Sequence, residues 1–345
     1  MRFKATLCFF LFSVIALAQT EFFKSKLLLS EDQLTDFYSS ISVDSTQIYF
    51  NANDKYIYAH DKKTGILNWS YYSGAKLDNA PISHRNNVFF GTGVRTWEQL
   101  NAKTGELVRI VRVDGVSTQP FIKDTIMYCA AVSPQIGGAI LAYDLKNSTK
   151  VWQKHIGDGV ALQPYFFKDK IVANFNEKYW FELDYNGNVL DKDTLCYSKS
   201  FEPPLEENYC NIRYDLLNQL NKDVAVKNVS IGSTKYWYGN QMTAVLENGK
   251  IKIIDGKTKI AKEIFIDKIL KLAEPKIYEY NEILKVEGNA IWFFSENIVA
   301  VYDFKLNKTI KIYNLSSWKP HQVLLDGANL WLISKDTGDL VGLKL

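Results

Sequence analysis

One run, Ala59-His60-Asp61-Lys62-Lys63-Thr64-Gly65-Ile66-Leu67-Asn68-Trp69, returns in worn form about every forty residues, and that repeat restricts the fold more than any other feature. A unit of this size cannot bury its apolar face alone, so neighbouring units must stack. Aligned on Asp61, the equivalents are Asn101, Asp144, Asp184, Asp255, Asp303 and Lys344, at spacings of 40, 43, 40, 71, 48 and 41. Thr64-Gly65 returns as Thr104-Gly105, decays to Asn147-Ser148 and shortens to Asn186-Gly187. Trp69 returns as Trp152. A second mark is in phase with the first: Gly115 to Phe121 matches Gly159 to Tyr165 at a separation of 44.

Within the units, short apolar runs such as Gln47 to Phe50, Tyr56 to His60, Val88 to Gly91, Ile140 to Tyr143, Ile291 to Phe294 and Ile298 to Tyr302 read as strands. Asn53-Asp54, Asn248-Gly249 and Asp336-Thr337-Gly338-Asp339 supply reversals, because Asn, Asp and Gly tolerate positive φ cheaply. Aromatic residues make up 14% of the chain, enough for a large core of β-favouring side chains. The expected fold is therefore all-β: a single seven-bladed β-propeller of four-stranded antiparallel blades. The last blade holds only three strands at the C-terminus, near His321 to Leu325, Leu330 to Ser334 and Leu340 to Leu345. Phe22 to Leu29 is expected to supply the fourth and close the ring. The interval of 71 reads as one blade plus an insertion at about 196–223, with an eighth, worn blade as the alternative.

Met1 to Ala18 reads as a signal peptide, with basic Arg2 and Lys4, an apolar run from Thr6 to Leu17 and small-x-small at Ala16-Leu17-Ala18. The propeller then occupies 19–345, secreted or periplasmic, with no membrane span expected. Cys8 lies within the apolar run, out of place for lipid attachment. A formal charge of +3 without a basic run excludes nucleic acid as a partner on electrostatic grounds. Cys129 lies in an apolar strand. Cys196 and Cys210 flank part of the insertion and either pair as a disulfide or stay apart.

The pattern Ala-x-Asp-x-x-Thr-Gly-x-x-x-Trp at Ala59 to Trp69 resembles the tryptophan-docking repeat of the PQQ-like β-propeller superfamily, strict in the first unit and good in the third through Ala142, Asp144 and Trp152. The repeat positions are Asp61, Gly65, Trp69, Gly105, Asp144, Trp152, Asp184, Asp255 and Asp303, while Arg109 and Glu263 stand where units two and five would carry the tryptophan. The quinone-dependent dehydrogenases that the resemblance brings in are longer and carry adjacent cysteines; no Cys-Cys pair occurs here. The four histidines, His60, His84, His155 and His321, fall in different repeats without metal-ligand spacing. No cofactor, metal site or catalytic residue is expected.

The expected role is a non-catalytic, monomeric scaffold that binds a protein, peptide or glycan on its loop-bearing face, in outline like the PQQ-like scaffolds of the bacterial envelope. A hydrolase or lyase with an axial site is the alternative. Aromatic residues and arginine make the natural anchors. Those expected on the turns between second and third strands, or in the insertion, are Arg95, Trp97, Tyr179, Tyr209 and Arg213.

Overall fold

The computed structural model describes residues 19–345 apart from 195–227, 271–280 and the shorter breaks at 28, 31–32, 34–39, 76, 78–79, 93–94, 114, 134, 136, 158–163, 176–178, 232–233, 240–241, 248 and 256–260. The expected signal peptide, Tyr209, Arg213, Cys196 and Cys210 lie outside the described residues.

Seven antiparallel sheets follow one another in chain order. The chain opens with β1 (Thr20–Lys24), set aside for the end of the ring. Blade 1 is β2 (Ile41–Val43), β3 (Gln47–Asn51), β4 (Tyr56–Asp61) and β5 (Leu67–Tyr72). Blade 2 is β6 (Ile82–His84), β7 (Asn87–Thr92), β8 (Thr96–Asn101) and β9 (Leu107–Arg112). Blade 3 splits its first strand into β10 (Val116–Ser117) and β11 (Phe121–Lys123), both on β12 (Ile126–Ser133), followed by β13 (Gly137–Asp144) and β14 (Thr149–Gly157). Blade 4 is β15 (Tyr165–Phe166), β16 (Lys170–Phe175), β17 (Tyr179–Asp184) and β18 (Val189–Thr194).

Blade 5 has five strands: β19 (Asn228–Ile231), β20 (Thr234–Gly239), β21 (Met242–Glu247), β22 (Lys250–Asp255) and β23 (Ala261–Phe265). The short helix α1 (Ile266–Leu270) leaves it. Blade 6 is β24 (Asn281–Glu287), β25 (Ala290–Ser295), β26 (Ile298–Asp303) and β27 (Lys308–Asn314). Blade 7 is β28 (Pro320–Asp326), β29 (Asn329–Ser334) and β30 (Leu340–Lys344), with β1 pairing outside β30 as its fourth strand. No eighth sheet occurs among the described residues.

Burial follows from stacking. Middle strands are covered by blades on both sides, so β3 is buried along its whole length and β7 at all but its first residue. Outer strands such as β9 are covered on one face only. Among the described residues, six seams between blades appear as separate apolar clusters; Tyr49, Ile57 and Trp69 meet Val88, Phe90 and Leu100 between blades 1 and 2. The closing seam brings Ile41, Ile48 and Phe50 of blade 1 against Trp331, Ile333 and Leu340 of blade 7, with Phe23 packed against them. Ring closure therefore joins the two ends of the chain. Further ties are Ser25 N to Leu340 O at 2.9 Å, Leu340 N to Ser25 Oγ at 2.8 Å and Leu27 N to Asp339 Oδ1 at 2.7 Å. The expected closing strand is thus present, shifted to Thr20–Lys24, while Leu27 packs beyond its end.

Candidate partner-binding face and docking seams

Antiparallel order sorts the loops onto two faces. Third-to-fourth-strand turns share one face with first-to-second-strand hairpins. Second-to-third-strand turns share the other with the connections that enter each blade.

The first face is built by the repeat. Asp61 Oδ1 accepts from Lys63 N at 3.0 Å, Thr64 N at 2.7 Å and Thr64 Oγ1 at 2.8 Å, and Gly65 N donates to Asp61 O at 2.7 Å. The Thr64 hydroxyl bond and these backbone donors hold the Asp61 carboxyl below its ordinary range. Asn101, Asp144, Asp184 and Asp303 cap their turns in the same way. Gly65, Gly105 and Gly187 take φ of +74°, +73° and +85°, a region in which a Cβ is strained.

Space is the second reason for these glycines. A Cβ on Gly105 would stand 2.7 Å from the Trp69 ring of the preceding blade, and one on Gly187 2.8 Å from Trp152. Trp69 Nε1 donates to Ala102 O at 2.8 Å and Trp152 Nε1 to Tyr185 O at 3.1 Å, in each case the residue after the capping position. Each indole is thus pinned across a seam by ring contact and one hydrogen bond.

Strand register identifies the equivalents of these tryptophans. Trp69 pairs with Ala59, Trp152 with Ala142, Arg109 with Gln99, Lys262 with Ile253 and Phe23 with Gly342. Phe23 fills the closing seam: a Cβ on Gly65 would collide with its ring, which also faces His60 at 5.2 Å. In blade 5 the docking position belongs to Lys262 and not to Glu263. Units 1 and 3 carry a β-bulge between their third and fourth strands, whereas the β22–β23 register runs without a shift, so residue counting overshoots by one. Lys262 Nζ donates to Phe304 O, the acceptor position that the indoles use elsewhere. Arg109 reaches Ser148 Oγ at 3.2 Å, and Ser148, at φ +57°, stands where other turns have glycine.

On the second face, Arg95 is exposed at φ +66°, its carbonyl accepting from Val113 N at 2.9 Å. Its guanidinium has no partner among the described residues. Tyr179 begins β17 beside the same class of turn. Trp97 is not an anchor: it is 1% exposed, opposite Gly91, with Nε1 donating to Ser117 Oγ at 2.6 Å. A Cβ on Gly91 would meet its ring at 2.9 Å, so the glycine makes room for the indole to turn inward. Lys319–Asp336 (2.6 Å) ties the last blade's turn to the connection that enters the blade, and Lys24–Asp339 (3.7 Å) ties it to the closing strand β1.

One buried group lay beyond sequence reasoning. Glu98 accepts from Tyr71 OH at 2.8 Å across the seam between blades 1 and 2; burial raises its carboxyl, the tyrosine opposing, and pushes the Tyr71 hydroxyl up to about 12. Cys129, in its apolar strand, is a free, buried thiol raised by burial to about 12. Among the described residues no cluster of His, Cys, Asp or Glu is grouped to hold a metal ion.

Residues 53–200 match the family model described as outer membrane protein assembly factor BamB. No curated protein sequence matches the chain. Among solved structures, BamB from Moraxella catarrhalis superposes with a TM-score of 0.62 at 12% identity, covering 95% of this chain and 100% of that one. The computationally designed Ika8 protein gives 0.52 at 11% identity, covering 87% and 94%. At such identities the likeness concerns fold. The capped repeat, the seven sheets and these matches give the chain a β-propeller fold like that of BamB, with residues 53–200 similar to that family.

Proposed function

We propose that this chain is a non-catalytic scaffold of a bacterial envelope, periplasmic after removal of residues 1–18, that holds protein partners on the face bearing the blade-entry connections. The observation that carries the reading is the match of residues 53–200 to a protein-assembly factor of the outer membrane. The face supports it physically. Second-to-third-strand turns and entry connections lie side by side there, and Arg95 offers an exposed guanidinium for a partner's carboxylate or carbonyl. Tyr179, Tyr209 and Arg213 are the further candidate anchors.

Affinity capture from envelope extract tests this, comparing the wild-type chain with a variant lacking Ser198 to Asn208 and with Arg95→Glu. The expected result is a defined set of envelope proteins recovered by the wild type and depleted by both variants. Recovery of the same proteins by all three would remove this face from recognition. Recovery of no envelope protein by the wild type would sink the scaffold reading itself.

A further inference from the structure

The seam between blades 2 and 3 is open at its outer edge, and we propose that it takes an extended peptide segment of another protein, bearing acidic side chains, laid along the free edge of β9. This surface lies on the rim and is separate from the face assigned above.

A cleft of about 390 Å³ opens there, lined by Ile110, Val111, Arg112, Tyr143, Ser148 and Lys150. It lies at the seam where Arg109 replaces the docking indole. Three consecutive residues of β9 form one wall, so the backbone edge itself faces the cleft. The ladder fixes which groups point outward. Val113 N bonds Arg95 O, and antiparallel bonding alternates, so Val111 and Arg109 are bonded to β8 while Ile110 and Arg112 turn N–H and C=O to the open side. An added strand finds these groups ready to pair.

The side chains point to the occupant's chemistry. Leu107, Val108 and Ile110 are 45%, 46% and 48% exposed, three aliphatic groups close together on an outer strand. Other outer strands, β18 and β27 among them, also expose aliphatic groups, but at β9 such groups stand beside the cleft and its cations. Arg112 and Lys150 are cationic members of the lining, and Arg109 reaches into it through Ser148. Among the described residues no carboxylate pairs with Arg109 or Arg112, and Arg109 Nε is buried without a hydrogen-bond partner. A segment alternating β-branched and acidic residues would lay its apolar side chains along Val108 and Ile110 and turn its carboxylates to the other face, that of Arg109, with Lys150 in the same cleft.

The experiment uses the full chain and two labelled eight-residue peptides, one alternating valine with glutamate and one valine with lysine, followed by fluorescence anisotropy. The glutamate peptide should bind saturably and at least tenfold more tightly than the lysine peptide. It should also slow hydrogen exchange at the amides of Ile110 and Arg112. The double variant Arg109→Glu, Lys150→Glu should reverse the preference. Equal affinity for both peptides, no saturable binding, or protection that omits β9 would each overturn the proposal using the wild-type chain alone, whatever the double variant's folding.

Discussion

The seam between blades 1 and 2 and the seam between blades 2 and 3 are built from the same repeat and end differently. In the first, Trp69 is 8% exposed, lies flat on Gly105 and donates to Ala102 O, the carbonyl that also accepts from Gln47 Nε2 at 2.6 Å. In the second, Arg109 faces Ser148, and a cleft opens beside it. An indole contributes a large apolar contact with one polar handle, whereas guanidinium must keep its donors solvated or paired and cannot seal a dry edge. The difference teaches that the propeller does not need a full girdle of tryptophans. Middle strands hold the seams together, and the outer docking position is free to seal or to expose.

The contrast can be broken most forcefully at the docking residues. Trp69→Ala should cost about 3–5 kcal/mol in urea unfolding, as large-to-small changes of buried aromatics do, whereas Arg109→Ala should cost about 1 kcal/mol or less. Equal losses would mean that the two seams are alike after all. A finer test uses glycines of equal conformation. Gly105 and Gly249 have φ of +73° and +72°, but only Gly105 lies under a ring; a Cβ on Gly249 meets nothing within 4 Å. Gly249→Ala should therefore show only the left-handed backbone penalty, about 1–2 kcal/mol, and Gly105→Ala clearly more.

The smallest effect concerns the closing seam, where Phe23 replaces the indole. His60 is buried against Phe23 and Phe50, with Nδ1–H donating to Gly65 O at 2.9 Å; burial lowers its pKa, the hydrogen bond opposing. The unfolded chain therefore binds a proton that the folded chain resists, so this stabilisation is complete above about pH 6.5 and declines as pH falls below it. Burial and Lys335 lower His321 in the same direction. Unfolding curves between pH 7.5 and 5 should show a shallower loss for His60→Gln than for wild type. An unchanged slope would exclude His60 from the closing seam's pH response.

Much of this was legible because the repeat encodes local chemistry. A carboxylate or amide that caps its own turn, followed by a residue at positive φ, leaves a signature at fixed spacing, and Asp61, Gly65 and Trp69 mark third strand, turn and seam at once. Docking without a motif was hidden. Phe23 lies ahead of the first repeat, and only the strand pairing shows that it occupies the seventh docking position. Lys262 was missed by one residue because a bulge leaves no mark in composition. Trp97 was read as surface from its nearness to a turn, but its facing Gly91 gives the indole room to point inward. The proposed partner face was legible only as loop positions, since no repeat constrains those loops.

Ring closure by the first strand is the claim on which every seam depends, and a cross-strand disulfide tests it most directly. Thr20 and Lys344 are register partners, both exposed, at the outer edge of blade 7. Thr20→Cys with Lys344→Cys should oxidise to one intramolecular bond, read by peptide mapping as a linked pair and by a higher unfolding midpoint than the reduced form. Cysteines that stay reduced under the same oxidant, or that link only between molecules, would contradict a ring closed by Thr20–Lys24.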